Sequence, residues 1–181
     1  KAQVLIEIEV GEERSGIIEE VDYKLLLNSI RASKNVELKG IFSHDGHTYK
    51  AVDKDDCLDL FMTATTRTLH FANVARDMDF EVETISIGST PPFMFGFDIP
   101  EGITEIRPGT YILMDGSQSN AIDSYAHSAA SVLTTVISKP TAERVITDVG
   151  AKGLTAQSRS KGLTTTEGFG KIKEFEGVHI H

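Results

Sequence analysis

Cysteine is nearly absent: Cys57 stands alone in 181 residues, which excludes an intrachain disulfide and agrees with a reducing cytosol. No chemistry is assigned to it. Long apolar runs are missing as well, since none approaches the roughly 20 residues that a membrane-spanning helix needs, and no apolar segment with a small-residue cleavage pattern opens the chain. Positive charge is scarce, with 18 Lys and Arg against 27 Asp and Glu for a net charge of −9, a balance that repels a phosphate backbone. No nucleic acid, no membrane and a cytoplasmic setting are therefore expected. What is there is ordinary for a soluble globular protein: 40% hydrophobic and 25% charged residues, in a length that allows one good core or a core plus a small second module.

Strands and helices alternate in the first two thirds. Val4, Ile6, Ile8 and Val10 alternate with more polar neighbours, which predicts a strand that ends in Gly11-Glu12-Glu13-Arg14-Ser15-Gly16. Ile18, Val21, Leu25, Leu26 and Ile30 have helical spacing, closed by Ser33-Lys34-Asn35. A strand from Val36 to Phe42 runs into Ser43-His44-Asp45-Gly46-His47-Thr48-Tyr49. A helix from about Asp55 follows, with Leu58, Phe61, Met62, Leu69, Ala72 and Ala75 on one stripe and Asp55 and Asp56 in its first turn. Phe80–Ile87 and Ile103–Ile106 read as further strands. This order predicts βα units and a parallel sheet, in which ligands sit at the C-terminal ends of the strands. Arg14, His44, Gly88 and Gly109 all fall in loops at that end.

Two of these loops, Gly88-Ser89-Thr90-Pro91 and Arg107-Pro108-Gly109-Thr110-Tyr111, offer small residues whose backbone N–H groups can converge on an anion. Each is also a plain tight turn by composition. After Asp115 the texture changes. Gly116–Asn120 reads as a flexible connection, Ser128–Ser138 as β-rich, Arg144–Val149 as a strand, Thr155–Gly170 as a long loop and Phe175–Ile180 as a last strand. The expected organisation is 1–123 as part of a (β/α) barrel and 124–181 as a β-rich domain. The chain opens directly in a strand pattern and stops at Val178-His179-Ile180-His181, so a piece of a longer protein is expected.

The motifs Gly11-x-x-Arg14-x-Gly16, Ser43-His44-x-Gly46-x-x-Tyr49, Gly88-Ser89-Thr90-Pro91, Arg107-Pro108-Gly109-Thr110-Tyr111 and Asp148-x-Gly150-x-Lys152-x-Leu154 follow one another in the order seen in one family. In this the chain resembles the D-threonine aldolase and D-serine dehydratase family, pyridoxal-phosphate enzymes of the alanine racemase fold. The resemblance implies an α/β fold, part of an alanine racemase-like (β/α) barrel followed by an all-β C-terminal domain. It also implies that Arg14 bonds the cofactor's phenolic oxygen, that His44 lies against the pyridine ring, and that Tyr49 lines the substrate side. Gly88, Ser89 and Thr90 with Gly109 and Thr110 would hold the phosphate. Arg107 falls where alanine racemases set an arginine on the ring nitrogen, an arrangement that weakens the electron sink. His44 and Tyr49 are thus the candidate catalytic residues.

The implied activity is metal-assisted retro-aldol cleavage of a β-hydroxy-D-amino acid, with Mn, Zn or Mg as the divalent ion. D-serine dehydratase-type elimination and amino-acid racemisation are the alternatives within the family. In the family the Schiff-base lysine lies on the first barrel strand, and no lysine here has that context; Lys152 lies in the β-domain motif. The partners expected are a D-amino acid, an N-terminal barrel segment bearing that lysine, and a second subunit in a homodimer. A different class also stays open, a non-catalytic module that binds a phosphate ligand or the cofactor. Other readings of single residues stay open too. Arg14 could be a surface ion-pair partner of Glu12 or Glu13, His44 and His47 could be a metal pair or loop residues, and His179 and His181 could be an H-x-H ligand pair or strand residues at a cut end.

Overall fold

A computed structural model describes residues 1–150, 153, 154, 162, 163 and 165. They fall into two compact units that divide between Tyr111 and Ile112. The first contains β1 (Ala2–Ile8), α1 (Glu20–Ala32), β2 (Val36–Ser43), α2 (Lys54–Asp77), β3 (Thr84–Ile87), the short α3 (Pro91–Met94) and β4 (Glu105–Ile106). The four strands form one sheet in the order β1-β2-β3-β4, every pair parallel, with Ile6 opposite Ile41, Ile41 opposite Ile85 and Ile87 opposite Ile106. Parallel neighbours need a crossover, and α1 and α2 supply the first two. All four loops that carry candidate residues therefore leave the sheet at the same edge.

The core lies between the sheet and the two long helices. Ile6 and Ile8 of β1, Leu38 and Ile41 of β2 and Ile85 of β3 pack with Tyr23 and Leu27 of α1 and with Phe71, Ala72 and Ala75 of α2. Tyr23 and Phe71 meet edge to face, with ring centroids 5.0 Å apart, a geometry that the ring quadrupoles favour. The helical stripes are rotated from the expected ones. On α1 the buried residues are Tyr23 and Leu27, while Val21 and Leu25 are 69% and 61% exposed. On α2 the expected Phe61, Ala72 and Ala75 are buried while Leu58 and Met62 are exposed, and Cys57, Ala64, Thr65, Thr68 and Phe71 join them on the buried face. Small and hydroxyl side chains form much of that face because a helix laid on a parallel sheet needs close approach more than bulk.

Two strands are shorter than expected. β3 begins at Thr84 rather than Phe80, because the Phe80 N–H donates back to the Ala75 carbonyl at 3.0 Å and so belongs to the end of α2. β4 is confined to Glu105–Ile106.

The second unit differs in kind. Gly116–Asn120 is not a flexible connection: Gly116–Ala121 forms helix α4, whose N-terminus is capped by the Asp115 carboxylate accepting the N–H groups of Ser117 (3.0 Å) and Gln118 (3.1 Å). β5 (Val136–Thr141) and β6 (Arg144–Thr147) form an antiparallel hairpin. The β-rich stretch expected from Ser128 becomes strand only at Val136, since the Thr134 hydroxyl and the Thr135 N–H are both taken by the Asp148 carboxylate. Lys152 and the expected strand Phe175–Ile180, with His179 and His181, lie outside the described residues, as does most of the expected loop Thr155–Gly170.

Candidate functional site

Glu9 shapes the loop after β1. Its Oε1 accepts the N–H groups of Gly11 (2.7 Å) and Glu13 (2.9 Å). Burial opposes charge there, but these backbone donors hold the carboxyl below its usual range. Arg67 reaches across from α2, donating from Nε to the Glu9 carbonyl at 2.7 Å and from Nη2 to the Ile18 carbonyl. At Gly16, with φ of +106°, a Cβ would lie 2.7 Å from the Glu9 nitrogen, so the return of the loop beside β1 requires glycine. The loop carries Arg14 to the rim with its side chain 56% exposed, 3.5 Å from Glu12 and 3.9 Å from Glu7. Arg14 thus makes an ion pair, with Glu12 and Glu7 rather than Glu13. Glu12 Oε2 is also 3.6 Å from His44 Nε2, so one carboxylate joins the two residues.

The loop after β2 is locked to the loop after β3. The Asp45 N–H donates to the Gly88 carbonyl at 3.1 Å, the Thr48 and Ser89 hydroxyls are 2.9 Å apart, and the Tyr49 hydroxyl is 3.1 Å from that of Thr110. His47 is buried with its ring against Gly11, where a Cβ would come 3.1 Å from Nε2. Burial lowers the His47 pKa, against the opposing pull of Asp45, Glu9 and Glu12. Asp45 is 2% exposed, and neither of its carboxylate oxygens meets a hydrogen-bond donor in good geometry. Burial pushes its pKa up, and the nearby Ser89 hydroxyl and the charges of His44 and His47 offset this only in part. Cys57 is buried too, its thiol pushed up to about 12 by desolvation and by Asp45 and Asp56, which fits the absence of any assigned chemistry.

The third and fourth loops meet at Thr90. Its Oγ1 accepts both the Gly109 N–H and the Thr110 N–H at 3.1 Å, so two successive backbone donors point at one oxygen. Close approach sets Gly88, where a Cβ would lie 2.9 Å from both Cβ and the carbonyl oxygen of Arg107. Arg107 is engaged within the rim: Nε donates to the Ser86 hydroxyl at 2.7 Å, Nη2 donates to the Ser43 carbonyl, and the guanidinium lies 5.2 Å from the centre of the Phe42 ring. The Ser86 hydroxyl in turn donates to Glu105.

The structure thus places Arg14 beside His44 through Glu12, Tyr49 beside Thr110, Ser89 beside Thr48, and Thr90 beside Gly109 and Thr110. Sequence reading passed over Asp45, Thr48, Ser86, Phe42 and Arg67. The Asp-Gly after His44 and the hydroxyl four residues beyond it were the available signal for the first two; nothing local marks Arg67, whose partners are 58 and 49 residues away. Among the described residues no group of three or more His, Cys, Asp or Glu could hold a metal ion, and no helix is long and apolar enough to cross a membrane.

Residues 1–116 match the family model of the alanine racemase N-terminal domain, and residues 129–179 match that of a putative serine dehydratase domain. A D-threonine aldolase of an Arthrobacter species is 29% identical over 158 residues, covering 85% of this chain and 41% of that protein. The D-serine dehydratase of Dictyostelium discoideum is 26% identical over 195 residues, covering 99% of this chain and 49% of that protein. Among solved structures, the D-threo-3-hydroxyaspartate dehydratase of Delftia sp. HT23 superposes with a TM-score of 0.74 at 27% identity, over 93% of this chain and 44% of that one. The chain spans less than half the length of these relatives. With its parallel sheet, its separate antiparallel hairpin and both family models in register with them, the chain belongs to the alanine racemase-like family, in the branch that holds the D-threonine aldolases and D-serine dehydratases.

Proposed function

We propose that this chain supplies the phosphate- and ring-holding part of a pyridoxal-phosphate-dependent lyase that cleaves β-hydroxy-D-amino acids by a retro-aldol route. The observation that carries the reading is the convergence of the Gly109 and Thr110 N–H groups on a single oxygen, that of the Thr90 hydroxyl, with Ser89 the preceding residue in the same loop. Backbone donors and small hydroxyls suit a phosphate dianion, so the residues present fit that end of the cofactor. Arg14 offers a permanent cation for a phenolate, and His44 a flat ring for a flat ring. Arg107 adds charge to the same rim, with Nε and Nη2 already committed to holding the loop after β4. Tyr49, set by Thr110, serves the substrate side.

Pyridoxal phosphate, when bound, supplies the electron sink at the substrate Cα. In the cleavage a base takes the proton from the β-hydroxyl, the Cα–Cβ bond breaks, and its electron pair stays on Cα until a proton is delivered there. D-threonine would give glycine and acetaldehyde. His44, with Glu12 close by, and Tyr49 are the groups proposed to hold and move protons. The divalent ion that the resemblance implies finds no ligand set among the described residues. Dehydration is a second reading, favoured by the match of residues 129–179 to a serine dehydratase domain.

Within the complete protein we place a barrel domain at 1–123 and a β-rich domain at 124–181. A lysine-bearing βα segment would close the barrel, as a homodimer in the cytoplasm. Support for the closing segment comes from the open sheet. Among the described residues β4 pairs on one side, β1 meets beyond β2 only the bridge from Ile17 to Ile8, and against β1 and α1 runs an apolar groove lined by Val4, Ile6, Ile17, Leu26 and Ile30. The exposed Val21 and Leu25 of α1 extend the apolar surface. The test of the reaction is product analysis of the full-length protein with D-threonine. Acetaldehyde and glycine are expected; 2-oxobutanoate and ammonia would replace the retro-aldol reading with dehydration. Cofactor binding without either product would leave a binding module.

A further inference from the structure

Asp45 is an ionisable group of the rim that no step above uses. Asp45 is buried, its two oxygens have no donor in good geometry, and its main chain is fastened to the loop after β3 by the bond from its N–H to the Gly88 carbonyl. Ser89 follows Gly88, and its hydroxyl is close enough to Asp45 to favour the charged form, yet it is 2.9 Å from the Thr48 hydroxyl. A carboxylate left this way faces the full cost of desolvation, whereas a neutral carboxyl does not.

We propose that Asp45 is a positioning residue for the phosphate site: neutral, it leaves the Ser89 hydroxyl free to donate to a bound phosphate group, and ionised, it claims that hydroxyl and repels the anion. The hydroxyl has one proton to give. If Asp45 is an anion, Ser89 donates to it and turns a lone pair toward the phosphate; if Asp45 is neutral, its own O–H can donate to the Ser89 oxygen and the serine proton faces the ligand. The inference rests on the reading of the two loops as a phosphate site, and it adds that one proton on Asp45 accompanies the anion.

Other charges around Asp45 must be separated from it. His44 and His47 from its own loop favour its charged form, while Asp56 and the protonated thiol of Cys57 stand on α2. Glu9, Glu12 and Lys50 act on His47. His47 loses positive charge as pH rises, so anion affinity would fall somewhat even without Asp45. The comparison with Asp45→Asn removes that contribution, because the histidines are common to both proteins and asparagine cannot ionise.

The experiment is calorimetric titration with sulfate, which stays a dianion between about pH 5 and pH 8.5, and then with pyridoxal phosphate. In the unsubstituted protein, sulfate affinity should fall with rising pH by about tenfold per unit more steeply than in Asp45→Asn once Asp45 ionises, as linkage of one proton requires. Above the pH at which Asp45 ionises, Asp45→Asn should bind sulfate more tightly than the unsubstituted protein does. Parallel profiles in the two proteins would overturn the role of Asp45 and leave the phosphate site standing. Failure of either anion to bind at any pH would overturn the site and the inference together. A readout free of the substitution is the Asp45 carboxyl carbon shift in the unsubstituted protein. A protonated signal that persists to higher pH with sulfate than without is expected, and a carboxylate ionised throughout would contradict the proposal.

Discussion

The parallel sheet and the β5–β6 hairpin are both made of strands, but different interactions hold them. Every strand of the sheet except β4 places residues in a shared core, and Ile41, Ile85 and Phe71 are essentially inaccessible to water. In β5 all six residues are exposed. The hairpin's open end is instead fastened by local hydrogen bonds: Asp148 Oδ1 takes the Thr134 hydroxyl at 2.7 Å and the Thr135 N–H at 3.0 Å, and the Asp148 N–H donates to the Thr135 carbonyl at 3.0 Å. The sheet can therefore carry polar, partly frustrated groups such as Asp45 at its rim, because the apolar packing behind them fixes the loops. A hairpin tied by local hydrogen bonds has no such reserve.

The sharpest way to break this contrast is to empty the core. Phe71→Ala removes the ring that meets Tyr23 edge-on and should cost about 3–5 kcal/mol in denaturant unfolding. Ile137→Ala, at a position 63% exposed, should stay within about 0.5 kcal/mol. Similar costs for the two would mean that the hairpin is packed as the sheet is.

Next in size is Thr90→Val, which keeps the shape and deletes the acceptor shared by Gly109 and Thr110. Two partly buried N–H groups lose their partner, at a cost of about 1–3 kcal/mol, and pyridoxal phosphate affinity should drop by about tenfold or more, read by calorimetry. Unchanged affinity would separate the Thr90 junction from the ligand site.

Much of this rim was legible in the sequence, because glycine, proline and small hydroxyl residues after β-patterned runs announce strand-to-helix loops whatever their function. What was not legible followed from rotation and burial. The spacing of Val21 and Leu25 gives a helix but not which side of it meets the sheet, and the choice fell to Tyr23 and Leu27 because Tyr23 has Phe71 to pack against. Gly116-Ser117-Gln118-Ser119-Asn120 looked like a linker by composition, yet the Asp115 cap was enough to fold it into α4. Asp45 was invisible as a special residue, since an aspartate before glycine reads as a turn and only the tertiary structure buries it.

Asp45 has a raised pKa in the folded protein, so its contribution is fully present below about pH 3.9 and is lost as pH rises through the folded value. His47 has a lowered one, so its contribution is present above about pH 6.5 and is lost as pH falls through its folded value. Thermal midpoints across that range should decline at the alkaline end less in Asp45→Asn, and at the acid end less in His47→Gln. An unaltered profile in both would place the pH-sensitive groups outside the rim. The smallest effect belongs to Asp148→Ala, which should speed amide hydrogen exchange at Thr135 and leave the unfolding midpoint of the sheet unmoved. A global loss of stability would make the hairpin part of the same cooperative unit.

If the loops after β3 and β4 form one anion site, the Gly109 and Thr110 amides report on it directly. Nitrogen-15 labelled protein titrated with pyridoxal phosphate should show both amide protons moving downfield together, as they exchange the Thr90 hydroxyl for a charged oxygen. Saturable binding with those two signals unmoved, and shifts gathered elsewhere, would contradict the account.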